Sequence, residues 1–120
     1  MARDDYSVLV YKILLYYYAC MKRKIIFDQK VYDKVIGKEK LNDGYLENVY
    51  CMMQDEGLIK GFAYTKAWGE TKIIISDETN ISITAAGIRY IENSKKTNKV
   101  KRFLLGSVDY LAELIRILGL

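Results

Sequence analysis

A mostly helical α+β fold, with its elements in the order of a winged helix-turn-helix, is the architecture this sequence predicts, on three observations. A helical pattern that opens on Asn42-Asp43 and closes on Gly57 runs directly into a β-prone stretch, Leu58 to Thr65. A second amphipathic pattern ends at Gly37, so two helices flank one tight link, Gly37 to Leu41. A further strand signal at Thr71 to Ser76 completes a hairpin, the wing, with its tip at Trp68-Gly69-Glu70.

The first helix is expected from Asp4 or Asp5 to Met21. Val8, Leu9, Val10, Tyr11, Ile13, Leu14, Leu15, Tyr16, Tyr17 and Tyr18 surround almost its whole circumference. A helix apolar all round is covered on several sides. One face is expected in the domain core and another against the C-terminal helix, or against the same helix of a second subunit. Tyrosines at helical spacing among aliphatics read as core or interface rather than as a platform for stacking bases. Lys12 interrupts the run, and Ile13 to Met21 alone is too short to cross a bilayer.

Lys22-Arg23-Lys24 suits the negative pole of that helix. Ile25-Ile26-Phe27 reads as a short strand, and Asp28 as the cap of a helix carrying Val31, Tyr32, Val35 and Ile36 on one side. Gly37 closes it. Asn42 or Asp43 caps the third helix, in which Leu46, Val49, Tyr50 and Met53 fall at i, i+3, i+4 and i+7. With Gly57 in the left-handed conformation, Leu58 would fold back onto Met53.

After the hairpin, Asp77 to Asn80 is a turn, and Ile81 and Ile83 alternate about Ser82 like a half-buried strand end. Thr84 caps a helix bearing Ile88, Tyr90 and Ile91. Gly87 in its first turn costs about 1 kcal/mol relative to alanine, which close approach to a neighbouring element would explain. The last helix is expected from about Asn98 to Leu118, with Gly106-Ser107 as a possible bend. Its stripe of Val100, Phe103, Leu104, Val108, Leu111, Leu114, Ile115 and Leu118 is long for so small a chain. Phe103, Leu104, Leu111, Leu114, Ile115 and Leu118, with Tyr16 and Tyr17, are therefore the candidate interface of a homodimer.

With 120 residues and 51% of them apolar, one core is expected. It divides into a winged-helix domain over 1–96 and, over 97–120, the C-terminal helix packed on it. A formal charge of +4 makes nucleic acid or an anionic surface a plausible partner. Cys20 and Cys51, with no histidine anywhere, build no zinc framework and read as reduced, buried thiols of a cytoplasmic protein. Acids at Asp4 and Asp5 stand where a secretory leader needs positive charge.

The segment Ile83-Thr84-Ala85-Ala86-Gly87-Ile88-Arg89-Tyr90-Ile91-Glu92-Asn93-Ser94 resembles the YjcQ-like family of small bacterial and prophage-encoded proteins, in which a threonine-initiated, glycine-containing helix ending in Glu-Asn follows the wing. Glu56-Gly57-Leu58-Ile59-Lys60-Gly61 and the long final helix are similar too. The resemblance implies a winged helix and a phage or mobile-element setting, and brings no catalytic residues. Three consecutive tyrosines in the first helix depart from the pattern.

In a winged helix-turn-helix the helix after the turn enters the major groove while flanking cations neutralise phosphates. Here that helix carries Asp43, Glu47, Asp55 and Glu56 and neither lysine nor arginine. Its outward Tyr45, Asn48 and Met52 can touch bases, and Asn48 can pair with adenine. Phosphates would fall to Lys34, Lys38 and Lys40 on one side and Lys60, Lys66 and Lys72 on the wing, with Trp68 at its tip. The expected function is thus a dimeric regulator or accessory factor that binds double-stranded DNA. The alternative is a protein-interaction module that presents the acidic helix to a basic protein. A membrane-surface role is disfavoured by Asp109 and Glu113 in the last helix. With no histidine, no phosphate-cradling glycine loop and no motif around either cysteine, the sequence offers no catalytic residue, metal site or cofactor site.

Overall fold

The computed structural model describes residues 5–62, 64–66, 72–74, 78–93 and 110–120. They form a mostly helical α+β structure. In chain order the elements are α1 (Asp5–Met21), α2 (Gln29–Ile36), α3 (Asp43–Asp55), β1 (Ile59–Lys60), β2 (Tyr64–Lys66), β3 (Lys72–Ile74), β4 (Ser82–Ile83), α4 (Ala85–Asn93) and α5 (Tyr110–Ile117), with single 3₁₀ turns at Lys38–Lys40 and Glu78–Asn80.

α1 is the axle of the molecule. It packs against α2, α3, α4, β4 and α5, which is how a helix apolar on every side is accommodated. Ten of its residues, from Leu9 to Ala19 apart from Lys12, are buried. Each large apolar side chain so placed contributes about 1.5–3 kcal/mol relative to exposure. The expected contact of α1 with the C-terminal helix is therefore made within one chain.

α2 and α3 begin and end on the residues that the sequence marks. The Asp28 carboxylate accepts from the N–H groups of Lys30 and Val31, and the Asn42 side chain from those of Gly44 and Tyr45. Gly37 and Gly57 take φ of 70° and 80°. Past α3, the Leu58 N–H bonds the Met53 carbonyl at 2.9 Å and the Gly57 N–H bonds that of Gln54 at 2.9 Å. This paired closure turns the chain back on itself. Leu46, Val49, Tyr50 and Met53 are all buried, as their spacing predicts.

Two expected strands come out differently. Ile25-Ile26-Phe27 forms no strand, and Ile26 is 91% exposed. Side chains hold this segment in place of a ladder. The Phe27 ring stacks on Tyr17 with centroids 5.8 Å apart and meets Tyr16 edge-on, while the Tyr16 hydroxyl accepts from the Asp28 N–H at 3.0 Å. The stretch Leu58 to Thr65, expected as one strand, is broken at Gly61. β1 pairs antiparallel with β4 (Ile59 opposite Ile83), and β2 pairs with β3 (Tyr64 opposite Ile74). Gly61 has φ of 87°, and a Cβ there would stand 2.2 Å from the Asn80 carbonyl oxygen. Beyond it the Gln54 amide takes both backbone groups of Phe62, accepting from its N–H at 2.8 Å and donating to its carbonyl at 2.7 Å. A side chain thus occupies the place of a neighbouring strand.

Thr84 caps α4 through the Gly87 N–H, and its hydroxyl donates to the Gly57 carbonyl. The close approach expected at Gly87 is present: a Cβ there would meet the Leu58 carbonyl oxygen at 2.3 Å. α5 covers the later part of the expected C-terminal helix. Its earlier part from Asn98, with Val100, Phe103, Leu104, Gly106-Ser107 and Val108, lies outside the described residues, as do the Trp68-Gly69-Glu70 tip and the ends of the Thr71 to Ser76 strand.

Candidate nucleic-acid interface

The α2–turn–α3 unit sorts the side chains of α3 by its two faces. The buried stripe fixes the helix to α1 and the rest of the core, and Tyr45, Asn48 and Met52 are left on the outer side. Tyr45 is 38% and Met52 47% exposed, and Asn48 is exposed beside them. Asp43 at one end and Asp55 and Glu56 at the other are exposed, whereas Glu47 is half-buried. The outer middle of α3 is therefore an uncharged strip between acidic ends, with an amide at its centre.

The candidate cations divide into three groups. Lys34, Lys40 and Lys60 are exposed. Lys38 is committed inside the chain, its ammonium 3.8 Å from Asp33 and 3.7 Å from Glu78. It ties the turn to α2 and to Glu78. Lys66 and Lys72 are backbone partners in the β2–β3 register. Trp68 lies outside the described residues.

Glu78 is the residue that sequence reasoning missed. Its Oε2 accepts from the Tyr50 hydroxyl, which in turn is 2.7 Å from the Tyr32 hydroxyl; its Oε1 accepts from Gln29 Nε2 at 2.7 Å; and its backbone carbonyl accepts from the Tyr17 hydroxyl at 2.6 Å. One residue just past the hairpin therefore draws α1, α2 and α3 together and, through Lys38, the turn. Burial pushes the hydroxyls of Tyr50, Tyr32 and Tyr17 well above their ordinary range, and the adjacent Glu78 carboxylate raises that of Tyr50 further. They act as neutral donors. The available signal was chemical: buried phenols need acceptors, and 11 tyrosines in one short chain imply several such acceptors.

The candidate dimer residues are placed in the core of the single chain. Tyr16 and Tyr17 on α1, and Leu111, Leu114, Ile115 and Leu118 on or just after α5, are each 6% exposed or less. The apolar excess of α5 is thus consumed by α1 and its neighbours, while Tyr110 and Ile117 remain 39% and 42% exposed. Phe103 and Leu104 lie outside the described residues. Among the described residues no cluster of three acidic or sulfur ligands could hold a metal, and no helix is long and apolar enough to cross a membrane.

These features define a mostly helical α+β protein built on a tyrosine-rich central helix, with a capped helix–turn–helix unit and a short hairpin. The chain belongs to the YjcQ protein family, whose model matches residues 11–105. The segment Ile83 to Ser94 that carries the resemblance lies within that span, and α5 lies beyond it. No curated protein and no solved structure matches the chain.

Proposed function

We propose that this protein is a winged-helix DNA-binding regulator or accessory factor, of phage or mobile-element origin and acting in the cytoplasm, with α3 in the major groove and the β2–β3 hairpin as its wing. The observation that carries the reading is the exposed Asn48 at the centre of the uncharged outer strip of α3, flanked by exposed lysines on the neighbouring elements. Lys34, Lys40 and Lys60 add exposed positive charge around α3, and Asn48 supplies the side chain that can read an adenine edge.

A second reading is supported by the charge of α3 itself. Every charged side chain on it is a carboxylate, and the exposed Tyr45 and Met52 lie between them, a surface suited to a basic protein. In either case a homodimer would use surfaces other than the buried stripe of α5.

Fluorescence anisotropy of a mixed-sequence duplex, titrated at several salt concentrations, separates the two. Each neutralised phosphate contributes about −0.9 to the slope of log K against log salt. The DNA reading predicts a slope steeper than about −3, flattened by about one in each of Lys40→Gln and Lys60→Gln. Absence of binding at low salt would reject it and leave the basic protein partner.

A further inference from the structure

α1, α3 and α5 close on the same pair of backbone bonds, but the left-handed residue is a glycine in only two of them. In α3 it is Gly57 and in α5 it is Gly119, with φ of 73°. In α1 it is Arg23, with φ of 60°, its N–H bonded to the Cys20 carbonyl at 3.0 Å and the Lys24 N–H bonded to that of Ala19 at 3.0 Å. A side chain in that conformation lowers stability relative to glycine. What arginine supplies in return is charge at the surface. Lys22, Arg23, Lys24 and Lys30 are all exposed, and among the described residues none of them lies in an ion pair. Lys22 lies over the Tyr18 ring, 4.9 Å from its centroid. The nearby carboxylates are engaged locally, Asp28 with the N–H groups of Lys30 and Val31 and Glu92 with the Tyr18 hydroxyl. Among the cations stand two apolar side chains, Met21, 49% exposed, and Ile26, 91% exposed. Ile25 and Phe27 on either side of Ile26 pack against the core and fix it as a protruding tip. A lone exposed isoleucine is ordinary, whereas one held out amid four cations is a surface of defined chemistry.

We infer that the loop from Met21 to Lys30 docks on an anionic lipid surface, with Ile26 entering the boundary of the acyl chains and Lys22, Arg23, Lys24 and Lys30 lying among the headgroups. Nucleic-acid phosphates would engage the cations but leave Ile26 and Met21 in water, and an acidic protein would need a pocket shaped to a protruding tip. A bilayer interface takes the charge and the apolar tip together. The inference stands apart from the DNA reading. The acids that disfavour a membrane role for the last helix are not part of this loop, and the contact is with the surface of the bilayer alone.

The test is cosedimentation of the full chain with vesicles of phosphatidylcholine and phosphatidylglycerol, against vesicles of phosphatidylcholine alone. Binding is expected only to the anionic vesicles and should weaken as salt rises. Arg23→Gly should lower it about fivefold, the share of one cation near such a surface, and should at the same time raise the melting temperature, because the left-handed position then holds glycine. Ile26→Asn, which leaves the charge unchanged, should lower it about tenfold. Arg116→Glu, at an exposed position on α5, changes the net charge as Arg23→Glu does and should cost much less binding. Equal binding to the neutral vesicles, binding unaffected by Ile26→Asn, or equal losses in Arg116→Glu and Arg23→Glu would each overturn the inference. Absence of binding to the anionic vesicles would overturn it too, and weaker duplex binding in Arg23→Gly would then assign the loop to nucleic acid.

Discussion

At Glu78 a single carboxylate answers to a tyrosine, a glutamine and a lysine contributed by α3, α2 and the turn between them. The Lys38 ion pair, with the lysine 38% exposed, contributes little by itself. The larger part lies in Tyr50, which is 3% exposed and has Glu78 and Tyr32 as hydrogen-bond partners. Glu78→Ala is predicted to destabilise the protein by about 1–3 kcal/mol, the cost of leaving a buried hydroxyl with its acceptor removed. Glu78→Gln keeps an acceptor and should recover most of the loss. Urea unfolding monitored by circular dichroism measures both, and equal losses in the two variants would show that charge rather than hydrogen bonding is what matters. None of this can be read from residue spacing, because Tyr17, Gln29, Tyr32, Tyr50 and Glu78 are brought together only by tertiary folding. The glycines are different. Gly37, Gly57 and Gly87 each stand where local helix rules already ask for a stop or a close approach, and the structure provides it.

At the scale of elements, what could be read was whatever is decided within one turn of chain. Asp28 and Asn42 cap their helices, and the apolar spacing of α3 turns the expected face inward. The strands were read less well because pairing is a property of two segments. Ile25 to Phe27 has strand-forming residues, yet Tyr16 and the ring cluster of Tyr17, Phe27 and Tyr32 settle its position instead. Phe62 is the sharper case, since Gln54, eight residues earlier, takes both of its backbone groups and separates β1 from β2. Gln54→Leu keeps the bulk and removes both hydrogen bonds. We predict a loss of about 1–3 kcal/mol and faster hydrogen exchange at the Phe62 amide, with α3 amides little changed near its capped start. Unaltered exchange at Phe62 would mean that the amide holds the segment no better than water does.

For the molecule as a whole, the dominant fact is a core built on phenols. Tyr11, Tyr16, Tyr17, Tyr18, Tyr32 and Tyr50 are all buried, and a phenolate in such a setting is far costlier than in water. Burial pushes the Tyr11 hydroxyl up to about 12 and the Cys20 thiol up to about 11, and it raises Tyr17, Tyr32 and Tyr50 as well. A group whose folded pKa is raised holds its proton more tightly in the folded state. Its contribution to stability is therefore complete below the unfolded value, about 9 for the thiol and about 10 for the phenols, and is lost as pH rises towards the folded value. The melting temperature should accordingly fall steeply between about pH 10 and 12. Because the buried phenols cannot ionise in place, their phenolate absorbance should appear together with the loss of helical circular dichroism, in one cooperative step. If the full phenolate signal developed while the helical signal stayed intact, the tyrosines would have to be reachable by hydroxide in the folded state. The central position of α1 against α2, α3, α4 and α5 would then be wrong, since it is those four helices that shut water away from its tyrosines.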